Sequence, residues 1–155
     1  MKRLFTIAIL LLAVGSAAYV LRDVVGGKTS TADAANALPR GDSAQLIVYY
    51  FDMGKDCSTC LNLESYTHQT LTTYFNDALQ SGAIEWAVVD VDTPETSHFV
   101  EDFGLYTKSV VLARFDGETM TGYNNLSRIW ELVYDKDAFM EYVRLQVEEA
   151  RGATS

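Results

Sequence analysis

Cys57 and Cys60 are the only two cysteines in this chain of 155 residues, and Ser58-Thr59 separates them. A C-x-x-C that opens a helix after a strand is a redox arrangement. At spacing i, i+3 on a first helical turn, both sulfurs point the same way and can close a small ring. The free N–H groups of that turn and the positive end of the helix dipole favour a thiolate. Thiols so placed titrate at ~3.5–7.5 rather than ~8.5. Cys57, the first of the pair, is expected to be the exposed attacking thiolate. Cys60, one turn further in, is expected to be the resolving thiol that releases a mixed disulfide. Lys55 would stabilise the Cys57 thiolate and Asp56 would oppose it. The balance predicts a moderately lowered value, that of a reductant or balanced exchanger. The redox-active disulfide is the reactive group itself, so no cofactor is expected.

Two other readings of the pair stay open. It could be a structural disulfide, although so short a loop constrains the unfolded chain very little. It could also bind metal, but a structural zinc site usually needs a second cysteine pair or two well-placed histidines. The histidines are His68 and His98. His68 is expected on the same helix as Cys60, about 12 Å further along its axis. No metal site is expected.

The elements that must position the cysteines follow from periodicity. The apolar run Gln45–Phe51 suits a strand buried on both faces. Asp52–Asp56 reads as a loop, and a helix begins around Cys57. Leu71, Phe75 and Leu79 form its core-facing stripe, and Gly82 ends it. Ile84–Val91 reads as a second buried strand. Asp92-Thr93-Pro94-Glu95 then turns into a short helix through Phe99, Val100 and Phe103 that stops at Gly104. Ser109–Phe115 is a third strand, Asp116-Gly117 a hairpin turn, and Glu118–Tyr123 a fourth strand. The tail from about Leu126 to Arg151 is expected to be one helix, with Phe139, Tyr142, Val143, Gln146 and Val147 on its apolar face. Trp86 and Trp130 fall in apolar patterns and are expected in the core. The order β-α-β-α-β-β-α implies an α/β fold: a central four-stranded mixed sheet flanked by helices, with a parallel pair and an antiparallel hairpin edge.

Outside this domain, the chain starts Met1-Lys2-Arg3 and carries no charge from Leu4 to Leu21. Such a run approaches the length that spans a bilayer. Its basic flank would stay in the cytoplasm and export the rest. Residues 1–22 are therefore expected to be an N-terminal apolar helix, either an uncleaved signal anchor that meets the membrane through residues 4–21 or a cleaved signal peptide. The cleavage site would be Ser16-Ala17-Ala18. Residues 23–43 read as a flexible linker, 44–151 as the folded domain and 152–155 as a tail. The expected location is membrane-anchored with the domain in the periplasm or another extracytoplasmic space, or secreted after cleavage. The net charge is −9. An acidic chain repels phosphate backbones, so no nucleic-acid partner is expected.

With the strand, CSTC and β-α-β-β-α remainder in place, the domain resembles the thioredoxin-like superfamily. More narrowly, it is similar to the exported ArsF-type group, named as nitrophenyl-compound nitroreductase subunits. The matching stretches are VYYF (48–51), DCSTCLNLESYT (56–67), IEWAVVDVDTPETSHFVEDFGLYTKSVVL (84–112) and NLSRIWELVYDKDAFMEYV (125–143). The family name implies a nitroreductase role, yet no Gly-rich phosphate loop for a flavin or nicotinamide follows a strand. Thioredoxins place a cis-proline before the third core strand, facing the cysteines. That position falls here at Ser109, where a cis bond would cost about 3 kcal/mol and trans is expected. They also carry a buried acid on the first strand. Asp52 is the nearest candidate here, and its loop position predicts exposure. The resemblance implies that Tyr106, Thr107, Lys108 and Ser109 form a substrate-facing loop opposite the cysteines; ordinary loop packing is the alternative. It implies protein or small-molecule thiols and disulfides as partners. A second functional reading is a non-catalytic accessory or binding subunit of a membrane redox complex, with an incidental disulfide.

Overall fold

The computed structural model describes residues 45–55 and 57–152. The expected N-terminal apolar helix, the linker, Asp56 and residues 153–155 lie outside the described residues. In chain order the elements are β1 (Leu46–Asp52), α1 (Ser58–Tyr74), α2 (Asn76–Gln80), β2 (Ile84–Asp90), α3 (Phe99–Asp102), β3 (Ser109–Asp116), β4 (Thr119–Asn125), α4 (Ile129–Leu132) and α5 (Lys136–Gly152). The strands form one mixed sheet in the order β2-β1-β3-β4. β2 runs parallel to β1, β3 is antiparallel to β1, and β4 is antiparallel to β3. A parallel pair needs a crossover, and α1 with α2 supplies it.

The sheet is covered on both faces, and β1 shows why. Its residues alternate sides. Leu46, Val48 and Tyr50 join Val110 and Leu112 of β3 in a core with Leu63 and Leu71 of α1 and Phe139, Val143 and Val147 of α5. Tyr49 and Phe51 face the other way. Phe51 packs against Phe99 and Phe103, with ring centroids 5.6 and 5.2 Å apart. The near-continuous apolar run of β1 is thus the signature of a central strand. The result is a four-stranded mixed α/β sheet with flanking helices.

Four local expectations are corrected. The first helix does not run unbroken to Gly82: it ends at Tyr74, and Phe75 leaves helical geometry at φ −129°, ψ 23°. Thr67, Thr70 and Thr72 each turn a hydroxyl back onto a carbonyl of the preceding turn, a bonding mode that weakens and bends helices. The break lets Phe75 enter the core. β2 is not buried on both faces; it is an edge strand, and Val88 is 50 % exposed. The C-terminal helix is two helices. The first ends at Leu132 with Val133 as its C-cap, and Asp135 caps the second, its carboxylate accepting from the Ala138 amide at 3.1 Å. Finally, β1 extends one residue further than expected, to Asp52. Gly82, Gly104 and Gly117 do adopt the left-handed conformation at the three turns where the sequence asks for it.

Among the described residues, no helix is long and apolar enough to cross a membrane.

Candidate active site

The cysteine pair lies where β1 hands the chain to α1. Past Asp52 the chain turns through Gly54 at φ +66°. The Gly54 amide donates to the Asp92 carboxylate at 2.6 Å, and the Val91 amide donates to the Asp52 carbonyl at 3.0 Å. These bonds moor the loop to the end of β2. Cys57 follows in an extended conformation (φ −139°, ψ 158°) as the N-cap of α1, and its carbonyl accepts the Leu61 amide at 3.1 Å.

The two sulfurs are joined as a disulfide, with the Cα atoms 5.0 Å apart. Their surroundings differ. Cys57 is exposed and Cys60 is buried. Cys57 Sγ accepts a hydrogen bond from the Cys60 backbone amide at 3.1 Å. That amide is one of the otherwise unpaired donors at a helix start, and it bonds a thiolate more strongly than a neutral sulfur. No acidic side chain stands in the first turn of α1 to offset the dipole. On the core side, the Tyr50 hydroxyl donates to the Cys60 carbonyl at 3.1 Å, tying the first turn to the central strand. This local chemistry suits thiol–disulfide exchange.

The four expected substrate-facing residues separate into two pairs. Tyr106 is 95 % exposed and Thr107 is also exposed. Lys108 and Ser109 are buried. The reason is register. Ser109 is the first residue of β3 and pairs with Phe51. Its hydroxyl donates to the Thr107 carbonyl at 2.8 Å. Lys108 then lies opposite Asp52 and points to the same side of the sheet, where its ammonium forms an ion pair with the Asp52 carboxylate. Asp52 is accordingly half-buried at a strand end, not an exposed loop residue. All peptide bonds among the described residues are trans, including that before Ser109. Lys55 is exposed beside the site.

Sequence reasoning missed three contacts. These are the Asp52–Lys108 pair, the Tyr50 bond to the Cys60 carbonyl, and a bond from Trp130 Nε1 to the Lys108 carbonyl at 3.0 Å. The first needs the β1–β3 register, which no residue pattern states. The second could have been found from strand alternation, because Tyr50 sits on the face that carries the helix.

No family model matches the chain, and no curated protein matches it. The ArsF-type membership suggested by the sequence therefore has no support from these comparisons. Among solved structures, one described as the structure of a malarial protein is 18 % identical. It covers 59 % of this chain and 97 % of its own, at a TM-score of 0.35. A thioredoxin from Thermus thermophilus, solved in solution, is 16 % identical. It covers 72 % of this chain and 80 % of its own, at a TM-score of 0.43.

Proposed function

We propose that this protein carries out thiol–disulfide exchange through Cys57 and Cys60. The observation that carries this reading is the asymmetry of the pair. The exposed sulfur caps a 17-residue helix and accepts one of its free amides, while its partner lies buried one turn away. In the reducing direction, the Cys57 thiolate attacks a substrate disulfide and expels one substrate thiolate. Cys60, deprotonated, then attacks Cys57 Sγ and expels the second. The substrate gains two electrons, and the protein is left as the disulfide seen here. Protein or small-molecule disulfides are the proposed substrates, with Tyr106 and Thr107 available on the exposed part of the neighbouring loop. The basic start and uncharged run at Leu4–Leu21 support export, with the domain held at or released from a membrane.

A second reading, a binding subunit with an incidental disulfide, draws on the trans bond before Ser109 and the burial of that residue. Turnover separates the two. With a dithiol donor and a protein disulfide substrate, the wild-type chain should turn over. Cys57→Ser should abolish the activity, by on the order of a hundredfold or more. Cys60→Ser should also stop turnover but accumulate the mixed disulfide on Cys57. Equal rates for wild type and Cys57→Ser would leave the binding reading.

A further inference from the structure

β2 is one edge of the sheet, and among the described residues no strand pairs with its outer side. An open edge presents a row of backbone donors and acceptors, which proteins ordinarily blunt with lysine, proline, a bulge or a covering element. β4, the other edge, pairs across a register shift between Arg114 and Phe115. β2 has no lysine and no proline, and its seven residues pair with β1 in unbroken register. Its outer side is also apolar near the cysteine turn. Trp86, Val88 and Asp90 alternate onto the sheet face that carries α1, beside Val48, Tyr50 and Asp52 of β1. The helix does not cover them fully: Val88 is 50 % exposed, and Leu61 on α1 is 58 % exposed. Leu61, Glu64 and His68 recur at helical spacing on one flank of α1. The His68 and Trp86 ring centroids are 5.8 Å apart, so that flank faces β2. Val88 lies next to Tyr50 in the ladder, and the Tyr50 hydroxyl donates to the Cys60 carbonyl at 3.1 Å. Leu61, Trp86 and Val88 therefore form an apolar strip along an open strand edge, close to the cysteine turn. Glu64 and the exposed Asp90 border it.

We propose that the β2 edge docks an extended, cationic segment of a partner protein, which joins the sheet as a fifth strand. Main-chain bonds to β2 supply affinity, and alternate side chains of the segment supply selection. Apolar ones seat on Leu61 and Val88, and basic ones meet Glu64 and Asp90. Charge decides the occupant. A second copy would bring Glu64, Glu85 and Asp90 of both chains to one seam, in a protein of net charge −9. A basic strand meets the same acids with attraction. This docking goes beyond the exchange reading and holds independently of it.

The test uses the full-length protein with its disulfide intact and an end-blocked peptide of about eight residues, alternating lysine and valine, long enough to lie along one strand. Binding is read by tryptophan fluorescence and by amide shifts in nuclear magnetic resonance. The peptide should bind, perturb β2 amides before those of β4, and weaken as salt is raised. A glutamate–valine peptide should not bind. Two further lysine–valine peptides carry N-methyl groups on one or the other alternate set of amides. Only one set faces β2 in an added strand, so one peptide should lose binding by about tenfold or more and the other should keep it. Val88→Ser should weaken binding by about tenfold, the worth of burying a valine side chain. Equal effects of the two methylated peptides, equal binding of the acidic peptide, or shifts centred away from β2 would overturn the proposal. So would a wild-type dimer in sedimentation whose formation excludes the peptide, since it would give the edge to a second copy. Should Val88→Ser fail to fold, the methylated peptides decide the matter on the wild-type chain. No dithiol donor is present, so the outcome is separate from the turnover test of the exchange reading.

Discussion

Cys57 and Cys60 are three positions apart and chemically identical, so their roles must come from what surrounds each sulfur. The N-cap position gives Cys57 solvent access and an amide donor; the first turn packs Cys60 against Tyr50. The Tyr50 hydroxyl is buried, and its hydrogen bond to the Cys60 carbonyl crosses from strand to helix. Tyr50→Phe should therefore lower stability by about 1 kcal/mol, the usual net worth of such a bond. A urea melt would read it as a lower midpoint with an unchanged slope. It should leave exchange activity in place, because the bond removed is to the Cys60 backbone carbonyl. At this scale the nucleophile and resolver were legible from the C-x-x-C spacing. The pairing of Asp52 with Lys108 was not, because it follows only once the β1–β3 register places them opposite each other.

At the scale of elements, periodicity located all four strands and the main helices. It erred where neighbours decide the outcome. The run IEWAVVD reads as buried on both faces, yet as an edge strand β2 is only partly covered. The stripe Leu71, Phe75, Leu79 is apolar at helical spacing and still hides a break, because threonine hydroxyls compete for the carbonyls just before it. α5 carries its own electrostatic device. Arg144 bonds Glu141 at 2.7 Å and Glu148 at 2.6 Å on the solvent side of the helix. The guanidinium holds the Glu141 carboxyl below its ordinary 4.5. A carboxyl with a lowered folded value contributes stability above its unfolded value and loses it as pH falls through the folded value. Arg144→Met should thus destabilise the domain at neutral pH, and the difference from wild type should shrink at pH well below 4.5. Paired denaturant melts across that range check this. The effect should be small and salt-sensitive, because the pair is at the surface.

At the scale of the molecule, the sheet order and crossover place the C-terminal end of β1 and the start of β3 at one edge of the fold. The cysteine turn, the exposed Tyr106 loop and the buried ion pair all gather there. The remaining sheet and its two covered faces serve to hold that edge rigid. An incidental disulfide in this place would have little to do, since closing so short a loop restrains the unfolded chain weakly. The reduction potential of the Cys57–Cys60 pair, equilibrated against glutathione or a thioredoxin standard, tests the central claim most directly. An exchanger should lie between about −270 and −120 mV, the span of known dithiol exchangers. A potential below about −300 mV, where structural disulfides lie, would contradict it.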